Sequence, residues 1–383
     1  MKAKVIISLM LILGCSSMTA QQLSGYVTGM PSLIVLKPDT ETWSQILFHN
    51  RLNFDWQMSE HFRVDAGMRN RFMIGSEALI NPESIGYDAG LVDLSWNWMV
   101  VETWRAASLL GNTSFDRLNV TYEKNNWKLQ AGRQRINWGQ TFVWNPNDIF
   151  NTYSFFDFDY PERPGCDAFR TTYYHNATSL SELAVSSRDN RITAAMLHRW
   201  NRKNIDYQLI AGLFAETDIV VGGALTSDYK GLNYRSELSY FHPISCRDVA
   251  CRVSTIAVSV GGDYIFSNSL MLQAEILYNN VSSGNENGLF DIFGASPSAK
   301  KLSFSDWNIF TSASYPITPR LNGSLSGMYF VDIKSCYAGL TLDFSVIENL
   351  DFSFIAQNFF TFGNSVIGNM QMMMGFLRLK YSF

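Results

Sequence analysis

Apolar and polar residues alternate along most of this chain with a period of two. From Phe62 to Phe72, the apolar Phe62, Val64, Ala66 and Met68 alternate with Arg63, Asp65, Arg69 and Arg71. Asp206–Leu213, Leu232–His242, Leu321–Val331 and Cys336–Val346 repeat the pattern. Such segments are half-buried strands, because successive side chains of a strand point to opposite faces. The pattern predicts 18 strands near 43–56, 62–73, 87–98, 115–124, 127–137, 167–175, 179–187, 191–201, 204–215, 218–227, 231–242, 252–266, 269–281, 303–315, 320–331, 335–346, 350–361 and 370–383. With residues 77–114 ambiguous, the expected range is 16–18.

Alternation alone fits a soluble sandwich or a transmembrane barrel. Three features favour the barrel. Apolar faces end in aromatic residues, as at Trp43, Trp56, Trp98, Trp127, Tyr264 and Tyr278, which suits interfacial girdles. Short turns alternate with long connections. The last residues place Leu377, Leu379, Tyr381 and Phe383 on one face and Arg378 and Lys380 on the other. The expected fold is all-β: a transmembrane antiparallel up-and-down β-barrel with a long third outward loop folded into its lumen.

The N-terminus adds export. Lys2 and Lys4 precede an apolar run from Val5 to Leu13, and Met18-Thr19-Ala20 offers a small-residue cleavage site. Residues 1–20 read as a signal peptide. Cleavage and lipidation at Cys15 is the rival reading. Residues 21–42 are a periplasmic segment or an extra strand, and 43–383 the barrel. The net charge of −4 falls to about −6 without Lys2 and Lys4, which excludes nucleic acid as a partner. No apolar run reaches the ~18–20 residues of a transmembrane helix.

One stretch breaks the rhythm, from Ala131 to Arg170. Trp127, Leu129 and Ala131 share a face, and continuing that phase would set Arg133 and Arg135 in lipid. The strand therefore bends near Gly132 and the chain turns inward. The stretch after it is rich in Phe, Tyr and Trp and has no strand period, and loops of that length are usually functional.

The leader, girdles, short turns and terminal Phe383 resemble the porin-like outer-membrane barrels of Gram-negative bacteria. Gly132-Arg133-Gln134 followed by Trp138-Gly139 is similar to a pattern in alginate-export-like, substrate-specific barrels. The resemblance implies a channel for passive passage of small hydrophilic solutes, anionic or saccharide, whose third loop forms the constriction. It implies outer-membrane lipid, the barrel-assembly machinery and copies of the chain as partners, with Tyr381 and Phe383 as the assembly signal. It implies no cofactor and no enzyme activity.

The candidate constriction residues are Arg133, Arg135, Trp138, Trp144, Asp148, Asp157, Asp159 and Glu162. Arg51, Arg63, Arg69, Arg71, Arg378 and Lys380 would form a basic wall on contiguous strands opposite the loop. The bland alternative pairs Arg133 and Arg135 with Asp148, Asp157, Asp159 or Glu162 as pins. Asp157, Asp159 and Glu162 lack the glycine of a calcium loop, so no metal is expected. Cys246 and Cys251 are close enough in one outward loop for a disulfide. Cys336 reads as a small lipid-facing hydrophobe and Cys166 has no evident mate. Two alternatives to an open channel remain. One is a structural or export barrel blocked by its loop. The other is a lipid-modifying enzyme, which would need a serine and a histidine within hydrogen-bond distance; His49 is one candidate.

Overall fold

Period-two segments cannot satisfy their backbone groups alone, and here each pairs with two neighbours until the sheet closes. The computed structural model describes residues 21–37, 41–76, 100–106, 108–152, 155, 163, 165–188, 191–244, 253–280, 298–362 and 370–383. Among them there is no helix. In chain order the strands are β1 Gln21–Lys37, β2 Glu41–Gln57, β3 Phe62–Gly75, β4 Val100–Ala106, β5 Leu109–Lys124, β6 Trp127–Gln134 and β7 Cys166–Asn176. There follow β8 Ser179–Arg188, β9 Arg191–Arg202, β10 Ile205–Phe214, β11 Asp218–Tyr229, β12 Leu232–Pro243 and β13 Thr255–Ile265. The last are β14 Met271–Asn279, β15 Trp307–Thr318, β16 Leu321–Phe330, β17 Ser335–Ile347, β18 Leu350–Thr361 and β19 Gln371–Ser382. All pairings are antiparallel, and β19 pairs with β1, closing a barrel of 18 strands. Closure leaves no open edge in lipid, the condition for a sheet to cross a membrane.

The nineteenth strand, β4, is short and lies beside the barrel ring. β5 pairs with β3 along its length. Its other edge is shared: β6 takes Leu118–Lys124 and β4 takes Leu109–Ser114.

One rim carries tight turns. Asn125, Lys203, Asn204, Lys230 and Gly231 adopt positive φ there, as two-residue hairpin turns require. The other rim carries the longer connections, including 135–165 between β6 and β7. This is the third connection on that rim, after 38–40 and 76–108. Side chains such as Met196, Leu209, Val221 and Leu325 are exposed outward in an apolar belt, while their strand neighbours face in.

Two expectations change. Gln21–Lys37 forms strand β1, so β2 is the second strand. β1 stands between β2 and β19 and pairs with both. The strands bearing Arg51 and Arg378 are therefore not adjacent, and the basic side chains expected on contiguous strands are interrupted by the inward Tyr26, Thr28 and Met30. The strand expected at 87–98 lies outside the described residues, as do residues 1–20.

Candidate functional site

The departure of 135–165 from the wall is fixed by Gly132, whose φ is +112°; a Cβ there would meet Leu118 O at 2.3 Å. The next residue, Arg133, is fully buried. Its guanidinium grips Asp167 on β7 through two hydrogen bonds, Nε to Oδ1 at 2.9 Å and Nη2 to Oδ2 at 2.8 Å. Nη1 donates to Phe115 O at 3.0 Å. This bidentate pair joins the two ends of the connection. Among the described residues the acid that Arg133 grips is Asp167, which the sequence did not single out. Of the acids expected to partner it, Asp157, Asp159 and Glu162 lie outside the described residues.

Beyond Ile136 the connection runs along the polar faces of β8, β10, β12 and β14. Trp138 donates its indole N–H to Glu182 on β8, and Gln208 on β10 donates to Trp138 O at 2.7 Å. Glu237 on β12 accepts from the Gln140 main chain, from Thr141 N at 2.7 Å, from Thr141 Oγ1 at 3.0 Å and from Asn147 N at 2.9 Å. Glu275 on β14 accepts from Phe142 N, Val143 N and Trp144 N at 2.8–3.0 Å, and from Ser259 Oγ. Ser239 adds a bond to Pro146 O at 2.9 Å. An irregular segment needs this many partners because few of its own backbone groups pair with one another, here Asp148 N with Asn145 O at 3.1 Å and Ile149 N with Asn147 O at 3.0 Å.

Apolar packing takes the same direction. Trp138, Ile149 and Phe150 join Leu197, Ile210, Val220 and Phe241 in one cluster. Val143 and Trp144 join Phe310, Phe330, Tyr337, Phe359 and Met372 in another, with Phe142 and Phe155 against it. Residues 136–150 of the connection thus lean on β7–β19 and β1.

Arg51 on β2 forms a buried ion pair with Asp116 on β5. In the register of β2 with β3, Arg51 faces Arg69 and His49 faces Arg71. Arg117 donates to Arg163 O at 2.7 Å, tying β5 to the far end of the connection. The remaining predicted bases are engaged locally. Arg63 bridges Asp55 and Asp65, Arg378 lies 3.3 Å from Asp343, and Lys380 stands over the Tyr26 ring at 4.5 Å.

Asp148 is fully buried, and burial pushes its carboxyl up to about 7 despite the attraction of Arg135. Glu237 opposes its ionisation further. Cys246 and Cys251 lie outside the described residues, while Cys166 and Cys336 are free thiols. Asp116, Asp167, Glu182, Glu237 and Glu275 are absent from the sequence-derived site. In the sequence they are ordinary polar-face residues, and nothing marks their partners, which lie up to 133 positions away.

Outside the barrel, near the tight-turn rim, Ser181 Oγ lies 2.8 Å from His175 Nε2 and 3.0 Å from His198 Nδ1. Both imidazoles are exposed within a chain of ring contacts linking Trp127, Tyr173, Trp200 and Tyr207.

No protein-family model and no curated protein matches the chain. Solved structures do. OccAB4 of Acinetobacter baumannii has a TM-score of 0.60 at 9% identity over 96% of this chain and 99% of its own. OccK8 (OprE) of Pseudomonas aeruginosa gives 0.59 at 10% over 94% and 98%. OpdK of Pseudomonas aeruginosa, solved with vanillate, gives 0.56 at 10% over 94% and 99%. The fold of this chain is that of these 18-stranded barrels.

Proposed function

We propose that this protein is an outer-membrane channel for small hydrophilic solutes, with the connection 135–165 inside the lumen as its constriction. The observation that carries the reading is the bonding of Gln140–Asn147 to Glu237 and Glu275, which stand on the face opposite the exposed apolar belt. A barrel of this strand number is wide enough for an aqueous passage unless something narrows it. Residues 136–150 of the loop lean on β7–β19, so the remaining passage runs along β2 and β3, past Arg69, while Arg51 and Arg71 are buried behind it and Arg51 is paired with Asp116. That lining favours anionic solutes. The likeness to a barrel solved with vanillate, a small aromatic carboxylate, supports the same solute class.

Planar-bilayer recording tests the reading. Deleting Thr141–Phe158 raises single-channel conductance if the loop narrows the pore. Unchanged conductance places the loop outside the path; absent conductance in the native protein favours the blocked structural barrel.

The Ser181 cluster favours a second reading, a lipid-facing esterase, because an imidazole within hydrogen-bond reach can take the hydroxyl proton. Release of fatty acid from phospholipid micelles, abolished by Ser181→Ala with conductance intact, is its signature. No release from the native barrel removes it.

A further inference from the structure

We propose that the loop masks two charges of the barrel wall, so that pore width and ion preference change together. This rests on the loop lying in the lumen. Glu237 and Glu275 are each about 1% exposed. Among the described residues neither forms an ion pair; the nearby Arg235 is engaged with Asp263 at 3.5 Å and stacks over Phe142 at 4.2 Å. Arg199 on β9 and Asp148 on the loop also interact electrostatically with Glu237. The two carboxylates are met instead by consecutive main-chain N–H groups of the loop, whose dipoles converge on them.

Those dipoles belong to the loop and not to the barrel wall. Val143 and Trp144 donate to Glu275 and also anchor the tip in the apolar cluster of β14–β19 and β1. When the tip leaves its apolar seat, the N–H groups leave with it. Both carboxylates then stand bare in the lumen. The wide state adds two negative charges to a lumen that presents neither while the loop is seated. The wide state is therefore the less anion-preferring of the two. Glu237 and Glu275 are positioning residues when the loop is seated and selectivity residues when it is not.

Single-channel recording in a salt gradient reads both properties at once. Val143→Ser with Trp144→Ser removes the apolar anchor while keeping the chain length. It should show openings to a larger level, whose cation-to-anion permeability ratio is roughly threefold higher than that of the native level. Adding Glu237→Gln and Glu275→Gln should keep the larger level and abolish the change in ratio. The Thr141–Phe158 deletion provides a second route to the wide state, and heat-modifiable gel mobility confirms that each variant is a closed barrel. A larger level with unaltered ion preference overturns the masking, as does a change that survives the glutamine pair. No larger level in either loop variant refutes the constriction itself, and the masking with it.

Discussion

Replacing Asp148 by Asn should remove one proton from the pH dependence of loop seating. The ordinary carboxyl value is 3.8 and burial in the seated loop pushes Asp148 up to about 7. A raised carboxyl binds its proton more tightly in the seated state than in the released one. Seating is thus strongest below pH about 4, weakens as pH rises, and reaches its full penalty above pH about 7. The upper limit of that penalty is roughly 4 kcal/mol, at 1.36 kcal/mol for each factor of ten. The occupancy ratio of wide to narrow levels can then climb up to about tenfold per pH unit across that window. The assay is single-channel occupancy between pH 4 and 8. In Asp148→Asn the slope should fall by one proton, and the narrow level should gain occupancy at neutral pH. Equal slopes in the native protein and the variant would falsify the assignment.

Three further outcomes are expected. Arg133→Ala leaves Asp167 buried and unpaired, which should destabilise the barrel by about 3–5 kcal/mol in denaturant titration, more than Arg63→Ala at the solvated rim. Tyr381 and Phe383 changed to Ser should give exported but uninserted chain, lacking the fast band of unboiled gels, because Phe383 exchanges main-chain bonds with Gly25 at 2.8–2.9 Å where β19 closes on β1; normal mobility would dismiss that role. Arg69→Gln with Arg71→Gln should move ion preference toward cations at low salt, the change fading near 1 M, where the Debye length is about 3 Å; a native preference at low salt counts against a basic passage.

The barrel was legible because an exposed apolar face on one side and a polar face on the other impose period two. That rule failed where both sides are apolar. β1 has Val27, Leu33 and Val35 facing out and Met30, Ile34 and Leu36 facing in, so its alternation is weak and it read either as a periplasmic segment or as an extra strand. Ile34 and Leu36 are apolar because they meet the cluster that holds the loop tip. A readable signal existed: Phe310, Phe330, Tyr337 and Phe359 put bulky apolar groups on nominally polar faces, and those faces are where the tip docks. The bend at Gly132 was foreseeable from the phase of Arg133, but its partner was not. Arg133 and Asp167 lie opposite each other only because β6 pairs with β7 across the whole loop. Glu237 and Glu275 look like any inward polar residue until the loop is set against them.

The shared edge of β5 makes two connections answerable to each other. Where β6 leaves the wall at Gln134, the edge of β5 above it would be stranded, with the main-chain groups of Leu109–Ser114 unpaired. β4, carried by the second connection, takes that place. The barrel ring thus has one lineage of neighbours at its lower rim and another at its upper rim. A lineage that lengthened its third loop without supplying a substitute stave would leak lipid at the seam. Homologues with a longer or shorter third connection should therefore show matching changes in the strand that β4 represents.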